Sequence, residues 1–344
     1  MAATNRTKYI DIARGIAILC IILGHQGKYE ISKIVFTFHV PIFFFITGYF
    51  LNKKQDLSEF IKKKARTLLV PYVCTCVVTI LLAVIIEILR GGDNVIKVAL
   101  EWCYASLYGA GDSYTEPFYI KQIGALWFLL ATFWGSIFLR IALNMKKHLR
   151  IIFVLGLFTL GYWTSVHLFW FPFSIQAGCC ATLFMYIGYV VKKSKDVYYK
   201  LPKEAKILGT VFAAAVWVDF MINFQSFWLV HCDIGRGIID IVGCICASYM
   251  VLLISKGIEK VSNVLSNILS FLGKYSLIVL CIHILELNLF PWWRVVELLV
   301  GFGMPEMPTK YLVVMLKFVA IIVATFICSK MKMITNLFGM KVAK

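Results

Sequence analysis

The sequence predicts an all-α, polytopic integral membrane protein with about ten transmembrane helices and both termini in the cytoplasm. Hydrophobic residues make up 60% of the 344 residues and charged residues only 15%, and the mean hydropathy is +0.82, far from the composition of soluble domains. Apolar runs long enough to cross a bilayer recur along the chain. Short basic clusters separate these runs and no long polar segment is left over, so residues 1–344 are predicted to form a single transmembrane domain.

Ten apolar runs approach the length of about 20 residues that a transmembrane helix needs. The ninth is followed by Pro291 and two tryptophans, a pattern typical of a short interfacial or re-entrant piece at 292–303. The longest outer connection, 90–122, contains an amphipathic stretch typical of a helix on the membrane surface. In chain order the runs are 9–26, 34–51, 67–89, 123–143, 151–170, 174–192, 206–223, 234–255, 275–290 and 311–329.

The basic residues predict the orientation in the lipid bilayer. The connections on the side of the two termini carry more than three times as many Lys and Arg residues as the opposite connections, as cytoplasmic loops of a cell membrane protein do. This distribution also accounts for the formal net charge of +17. Because the basic residues form no single stripe and no nucleic-acid-binding motif, nucleic acid is not predicted as a partner.

The first run carries Asp11, Arg14 and His25, and ionisable groups inside a membrane are costly enough to be functional candidates. Arg14 and His25 are eleven positions apart, about three helical turns or about 16 Å, on nearly the same helix face. The orientation places Arg14 near the cytoplasm and His25 near the outer side. In the next run Pro41 interrupts the helical hydrogen bonds, and His39 is predicted at a similar outer depth.

Two further pairs are candidates for substrate binding. His283 and Glu286 are three residues apart, and Arg236 and Asp240 are four apart, so each pair shares a helix face. Both pairs are equally compatible with simple helix packing. The histidines and the eleven cysteines show no spacing typical of metal ligands, so no metal site is predicted, and the cysteines are interpreted as reduced packing residues.

Several motifs, each weak alone, occur in an order that resembles the acyltransferase-3 family of bacterial integral-membrane O-acyltransferases. The resemblance runs from Tyr9 to His283. The motifs are Arg14 and His25 with ten residues between them, FHVPIFFFITGYF, Lys63-Lys64-Ala65-Arg66 followed by LLVPY, ALWFLLATF, Gly188-Tyr189, and LGKYSLIVLCIH at 272–283.

The resemblance implies transfer of an acyl group, usually acetyl but alternatively succinyl, from cytoplasmic acyl-CoA to a hydroxyl of an envelope glycan or lipid-linked sugar. It implies functional roles for Arg14 and His25 and no permanently bound cofactor. The paired basic motif of the family falls on Lys63 and Arg66, and Lys63 departs from its usual arginine. The sequence contains no GxSxG elbow and no esterase-like domain, so we expect direct acylation or transfer to a separate extracytoplasmic acceptor protein.

Acyl transfer to an alcohol needs a base near the hydroxyl and cationic groups for a phosphate-rich donor. His25 is accordingly predicted to act as general base or as transient acyl carrier, and Arg14 to steer the donor or balance local charge. Lys63 and Arg66 are predicted to bind the donor. The alternative hypothesis is a secondary transporter or flippase for an envelope precursor, since charges within membrane spans also line transport pathways. No second copy of the first motifs, as transporter repeats would show, is found.

Overall fold

The structure, a computed structural model, describes residues 7–25, 29–53, 55–116 and 118–340. These ranges contain helices, one isolated β-bridge between Tyr114 and Ile120, and no strand, which confirms the all-α class. The α-helices are α1 (Lys8–Gly24), α2 (Tyr29–Val35), α3 (Pro41–Phe50), α4 (Leu57–Lys64), α5 (Val70–Leu89), α6 (Val95–Tyr108), α7 (Trp127–Ala142), α8 (Lys147–His167), α9 (Ile175–Lys193), α10 (Lys195–Lys200), α11 (Lys203–Ile222), α12 (Ile238–Val261), α13 (Asn263–Lys274), α14 (Ser276–Leu289), α15 (Trp292–Gly301), α16 (Glu306–Lys330) and α17 (Lys332–Leu337).

Within the described ranges, 7 helices are long and apolar enough to cross a membrane, or up to 8 if the bent pair α13 and α14 forms one span. The remaining predicted runs correspond to α1, with 17 residues, and α3, with 10. The chain is thus a multi-pass membrane protein, whereas the number of ten spans stays a prediction. So does the cytoplasmic position of the two termini, whose residues 1–6 and 341–344 lie outside the described ranges.

The predicted run 34–51 is not one helix. A turn separates α2 from α3, which begins at Pro41. Proline is favoured in the first turn of a helix, because the backbone N–H that it lacks would have no partner within the helix there. His39 lies in this turn, and its backbone N–H donates to the carbonyl of Val35 over 3.0 Å. The break therefore turns the His39 side chain toward the end of α1 rather than placing it within a continuous span.

The segment 256–274, predicted as a loop, is helical over most of its length. α12 continues to Val261, and α13 begins after Ser262, whose hydroxyl accepts from the Leu265 N–H over 3.2 Å as an N-cap. α13 packs against α1 with almost no space between the backbones. A Cβ atom at Gly273 would lie 1.7 Å from the carbonyl oxygen of Asp11, so this crossing requires glycine.

A second close crossing joins α3 to α9. A Cβ atom at Gly48 would lie 1.8 Å from the Met185 carbonyl oxygen, and one at Gly188 would lie 2.0 Å from the Phe45 carbonyl oxygen. Small residues that bring backbones together are a common means of packing membrane helices. The two glycines belong to the FFFITGY and Gly188-Tyr189 motifs, so these motifs form one structural contact.

The other helices form a buried centre and an apolar rim. α7 and α9 are mostly buried, whereas α8, α11 and α16 bury less than a quarter of their most apolar segments. Exposed apolar side chains along these three helices are what a lipid-facing surface requires. Examples are Ile152, Leu155, Leu160, Leu208, Val211, Phe212, Met315 and Val319.

Candidate functional site

His25 and His283 come together at the end of α1, although 258 residues separate them in sequence. Their nearest nitrogens, His25 Nδ1 and His283 Nε2, are 3.4 Å apart, and the ring centroids are 5.1 Å apart. The other nitrogen of His283, Nδ1, lies 3.0 Å from Glu286 Oε2. Three predicted site residues thus form one polar chain between α1 and α14.

The hydrogen-bond partners assign the neutral tautomers in this chain. His283 Nδ1–H donates to Glu286, so His283 Nε2 carries the lone pair that faces His25. His25 Nδ1–H donates to the Ile21 carbonyl over 2.8 Å and also points to His283 Nε2. His25 Nε2 is therefore left as a lone-pair nitrogen. This is the order of groups found where a base is oriented by a second group and a carboxylate.

Lys317, inside the tenth predicted run, extends the chain. Its ammonium lies 3.8 Å from Glu286 Oε1 and 5.5 Å from the centre of the Trp292 ring. Glu286 and Lys317 are 11% and 15% exposed, so this ion pair is largely desolvated. Lys317 was not among the predicted site residues, although a single lysine in an apolar run is a signal for such a pairing.

A cavity of about 370 Å³ opens beside His25, on the side of the predicted outer connections. His25 is solvent-accessible there, whereas His39 on the cavity wall is only 7% exposed. His39 Nδ1–H donates to the Val35 carbonyl over 2.6 Å, which leaves its Nε2 as an acceptor. The other walls are aromatic and polar and include Phe36, Trp127, Phe128, Gln225, Ser226 and Trp228. Both predicted outer histidines therefore share one cavity.

Arg14 lies near the opposite end of α1. Its guanidinium is 3.7 Å from the carboxylate of Asp11 and 6.0 Å from the centre of the Phe50 ring. Lys64 is close enough for electrostatic repulsion from Arg14 and from Lys63. The structure therefore brings Lys64, a basic residue of the 63–66 motif, within electrostatic range of Arg14.

The two predicted donor-binding residues, Lys63 and Arg66, both have exposed side chains. They flank the start of a π-helical segment at Ala65–Leu69, which joins α4 to α5. π-Helical segments are rare in proteins, and those that occur are often found at functional sites. The motif thus offers two exposed cations at a helix irregularity and one partly buried cation, Lys64, within electrostatic range of Arg14.

Arg236 and Asp240 are placed apart from the histidine chain and form an ion-pair network with Asp219. The Arg236 guanidinium contacts Asp240 Oδ1 at 2.7 Å and Asp219 Oδ2 at 2.8 Å. The fully buried Asp240 also accepts from the Arg236 backbone N–H at 2.7 Å. This network fixes the end of the 223–237 connection, whose residues 225–229 line the cavity.

Packed side chains separate the end of α1 near Arg14 from the end at His25. Ala17 and Ile18 on α1 and Ile42 on α3 lie between them, and none of the three is more than 1% exposed. A molecule that passes between the two ends along this face of α1 must therefore displace these side chains. Among the described residues, no group of three or more His, Cys, Asp and Glu side chains is arranged to hold a metal ion.

Comparisons with known proteins give a family match over most of the chain. The model of the acyltransferase-3 family, described as an acyltransferase domain, matches residues 7–330. The nodulation protein NolL of Mesorhizobium japonicum is 26% identical over 160 residues, a match that covers 42% of this chain and 38% of NolL. The chain thus spans well under two thirds of the length of that relative. No solved structure matches the chain.

Proposed function

The chain belongs to the acyltransferase-3 family, and from this membership we propose that it moves an acetyl group from cytoplasmic acetyl-CoA to a hydroxyl of an envelope sugar. The observation that carries the proposal is the chain His25–His283–Glu286 beside a cavity on the predicted outer side. An oriented imidazole with an accessible lone pair is the group that deprotonation of a hydroxyl requires.

In the proposed reaction the sugar hydroxyl enters the cavity and gives its proton to His25 Nε2. The oxygen then bonds to the acyl carbon of the thioester, the carbon–sulfur bond breaks, and the CoA thiolate takes the proton from His25. The His283 lone pair accepts from His25 Nδ1–H while His25 is cationic, and the carboxylate of Glu286 stabilises that charge. His39 Nε2, on the same wall, accepts a hydrogen bond from a neighbouring sugar hydroxyl.

Arg14 and Lys64 are proposed to hold the donor diphosphate at the inner end of α1, with the exposed Lys63 and Arg66 attracting it from the cytoplasm. The pantetheine arm has about twelve bonds between phosphate and sulfur, equivalent to four extended residues or about 14 Å. The rise along α1 from Arg14 to His25 is about 16 Å. A diphosphate bound near Arg14 therefore leaves the thioester within reach of His25, provided that the side chains around Ile18 and Ile42 move aside.

A transfer assay with purified protein in lipid vesicles tests this function. Acetyl-CoA labelled in the acetyl group is offered with isolated envelope glycan, and label in the glycan is measured. We expect His25→Ala to lower transfer by at least about 100-fold, because general acid–base catalysis contributes about 10²–10⁴-fold. The matched control is His167→Ala, since His167 is an exposed histidine on α8 away from the cavity.

Two results would contradict the proposal. Wild-type transfer by the His25→Ala variant would remove His25 from the chemistry, and uptake of substrate into vesicles without label transfer would favour transport. Acid quenching of a single turnover separates direct transfer from an acyl-carrier route. Label retained on wild-type protein and absent from His25→Ala would identify His25 as a transient carrier. Mass spectrometry of envelope glycans from expressing cells then identifies the acceptor and the acyl group.

A further inference from the structure

A second pocket, of about 340 Å³, opens near the inner end of α1, within the size range of ligand sites. Nearly half of the residues that line it are aromatic, and we call it the tyrosine pocket after its five tyrosines. α1, α3, α10 and α12 each contribute to its wall. The five are Tyr9, Tyr49, Tyr198, Tyr199 and Tyr249.

The charged residues of the tyrosine pocket are both lysines. Lys195 and Lys256 line it, and no Asp or Glu does. The Lys256 ammonium lies 4.9 Å from the centre of the Tyr9 ring, so it faces the aromatic wall. One carboxylate, that of Glu259, lies within electrostatic range of the Tyr9 hydroxyl but does not line the pocket. Among the described residues, no ion pair includes Lys195 or Lys256.

Aromatic rings beside phosphate-binding lysines form a surface suited to a nucleotide. An aromatic side chain stacks on any base, and lysine is a common ligand of phosphate. A purely lipidic occupant does not require several tyrosine hydroxyls within one pocket, and two of these, on Tyr198 and Tyr249, are 3.1 Å apart. Tyr199 is 67% exposed, so its ring is free to pack on a ligand.

The pocket is also in the right place for the nucleotide end of the donor. Ile10 lines it, and Arg14 follows one helical turn later on the same face of α1. Phe50 joins the two sites, because it lines the pocket while its ring lies 6.0 Å from the Arg14 guanidinium. A donor with its diphosphate at Arg14 and its thioester directed along α1 must extend its nucleoside toward this end.

We propose that the tyrosine pocket binds the adenosine 3′-phosphate of acyl-CoA, with the adenine against Tyr9 and Tyr199 and the 3′-phosphate on Lys195 and Lys256. The inference rests on the proposed function and assigns it a nucleotide subsite separate from the reacting thioester. Truncated donors then probe the subsite. 3′-Dephospho-acetyl-CoA lacks only the 3′-phosphate, and S-acetylpantetheine lacks the whole nucleotide together with the diphosphate assigned to Arg14 and Lys64.

The test is a kinetic comparison of these three donors with the purified protein and one glycan acceptor. In Lys256→Ala we expect the ratio of kcat/KM for acetyl-CoA to that for 3′-dephospho-acetyl-CoA to fall about tenfold, the effect of losing a charged hydrogen bond. In Tyr199→Ala we expect the ratio of kcat/KM for acetyl-CoA to kcat/KM for S-acetylpantetheine to fall about tenfold, because the stacking of the adenine on Tyr199 is lost. Lys260→Ala is the matched control, because Lys260 is exposed one turn further along α12 and does not line the pocket.

The outcomes separate this inference from the proposed function. If no thioester donates in wild-type protein, the proposed function is wrong. If all three donate but Lys256→Ala and Tyr199→Ala change every donor equally, the pocket does not hold the nucleotide. Binding of adenosine 3′,5′-bisphosphate gives an independent check by calorimetry. Wild-type affinity of the Lys256→Ala variant for this bisphosphate would overturn the assignment. Displacement of the bisphosphate by anionic phospholipid but not by CoA would overturn it in favour of a lipid site.

Discussion

Replacing Glu286 by glutamine removes a charge from the histidine chain while keeping the shape of the side chain. Glu286 contacts His283 at 3.0 Å and the other nitrogen of His283 lies 3.4 Å from His25 Nδ1, so the carboxylate and His25 Nδ1 are at most about 8 Å apart. At an effective dielectric constant of about 20, this separation corresponds to about 2 kcal/mol of attraction. Since the attraction exists only while His25 is cationic, it lowers the barrier rather than the energy of the bound substrates.

We therefore expect Glu286→Gln to lower kcat for acetyl transfer about 30-fold with little change in KM for acetyl-CoA, the equivalent of about 2 kcal/mol. The assay is label transfer at saturating donor and glycan. Glu297→Gln on α15 is the matched control, because Glu297 is exposed and is not part of the His25–His283–Glu286 series of contacts. A wild-type kcat in folded Glu286→Gln protein would refute the assignment of Glu286. A loss confined to KM would instead mean that Glu286 contacts a substrate.

Three further changes test the inner site, a helix crossing and the ion-pair network. Lys64→Ala should raise KM for acetyl-CoA about tenfold and more than Arg66→Ala does, because Lys64 is partly buried within electrostatic range of Arg14. Equal effects would contradict this difference. Gly273→Val should cost more than about 3 kcal/mol and lower Tm in detergent, because even a Cβ atom would lie 1.7 Å from the Asp11 carbonyl oxygen; an unchanged Tm would disprove the contact. Arg236→Met should destabilise the protein by about 3–5 kcal/mol by leaving the buried Asp240 without its cation. Addition of Asp240→Asn should recover part of that loss, and a stable Arg236→Met protein with impaired transfer would instead assign Arg236 to the reaction.

The helices that the sequence predicted best are those whose apolar runs are long. The runs from 67–89 to 206–223 each correspond to one helix within a few residues of the predicted bounds, and the run 234–255 corresponds to α12, which continues to Val261. α13 was missed because its twelve residues are too few for a span and its Lys274 counts as a loop residue. Its role follows from tertiary packing, since only the backbone contact between Gly273 and Asp11 shows that it supports the first helix.

The candidate site was predictable only where a local sequence pattern marks its residues. His25 stands out as a polar residue at the end of an apolar run and His39 as one before the proline within the next run, and both line the cavity beside His25. The contact of His25 with His283 was not predictable, because no local pattern connects two side chains 258 residues apart. The electrostatic contact between Lys64 and Arg14 was also not predictable, because the two residues lie on different helices about 50 residues apart in sequence.

The separation of the two ends of α1 agrees with the chemistry of the proposed donor. The phosphates of acyl-CoA carry charges that are costly to place inside a membrane, whereas the pantetheine arm is uncharged. A protein that brings this donor to an outer hydroxyl must therefore hold the phosphates near the inner surface and let only the arm cross. Arg14, the packed neutral residues Ala17 and Ile18, and the proposed base His25 follow in that order along α1, and Lys64 on α4 adds a second cation within electrostatic range of Arg14.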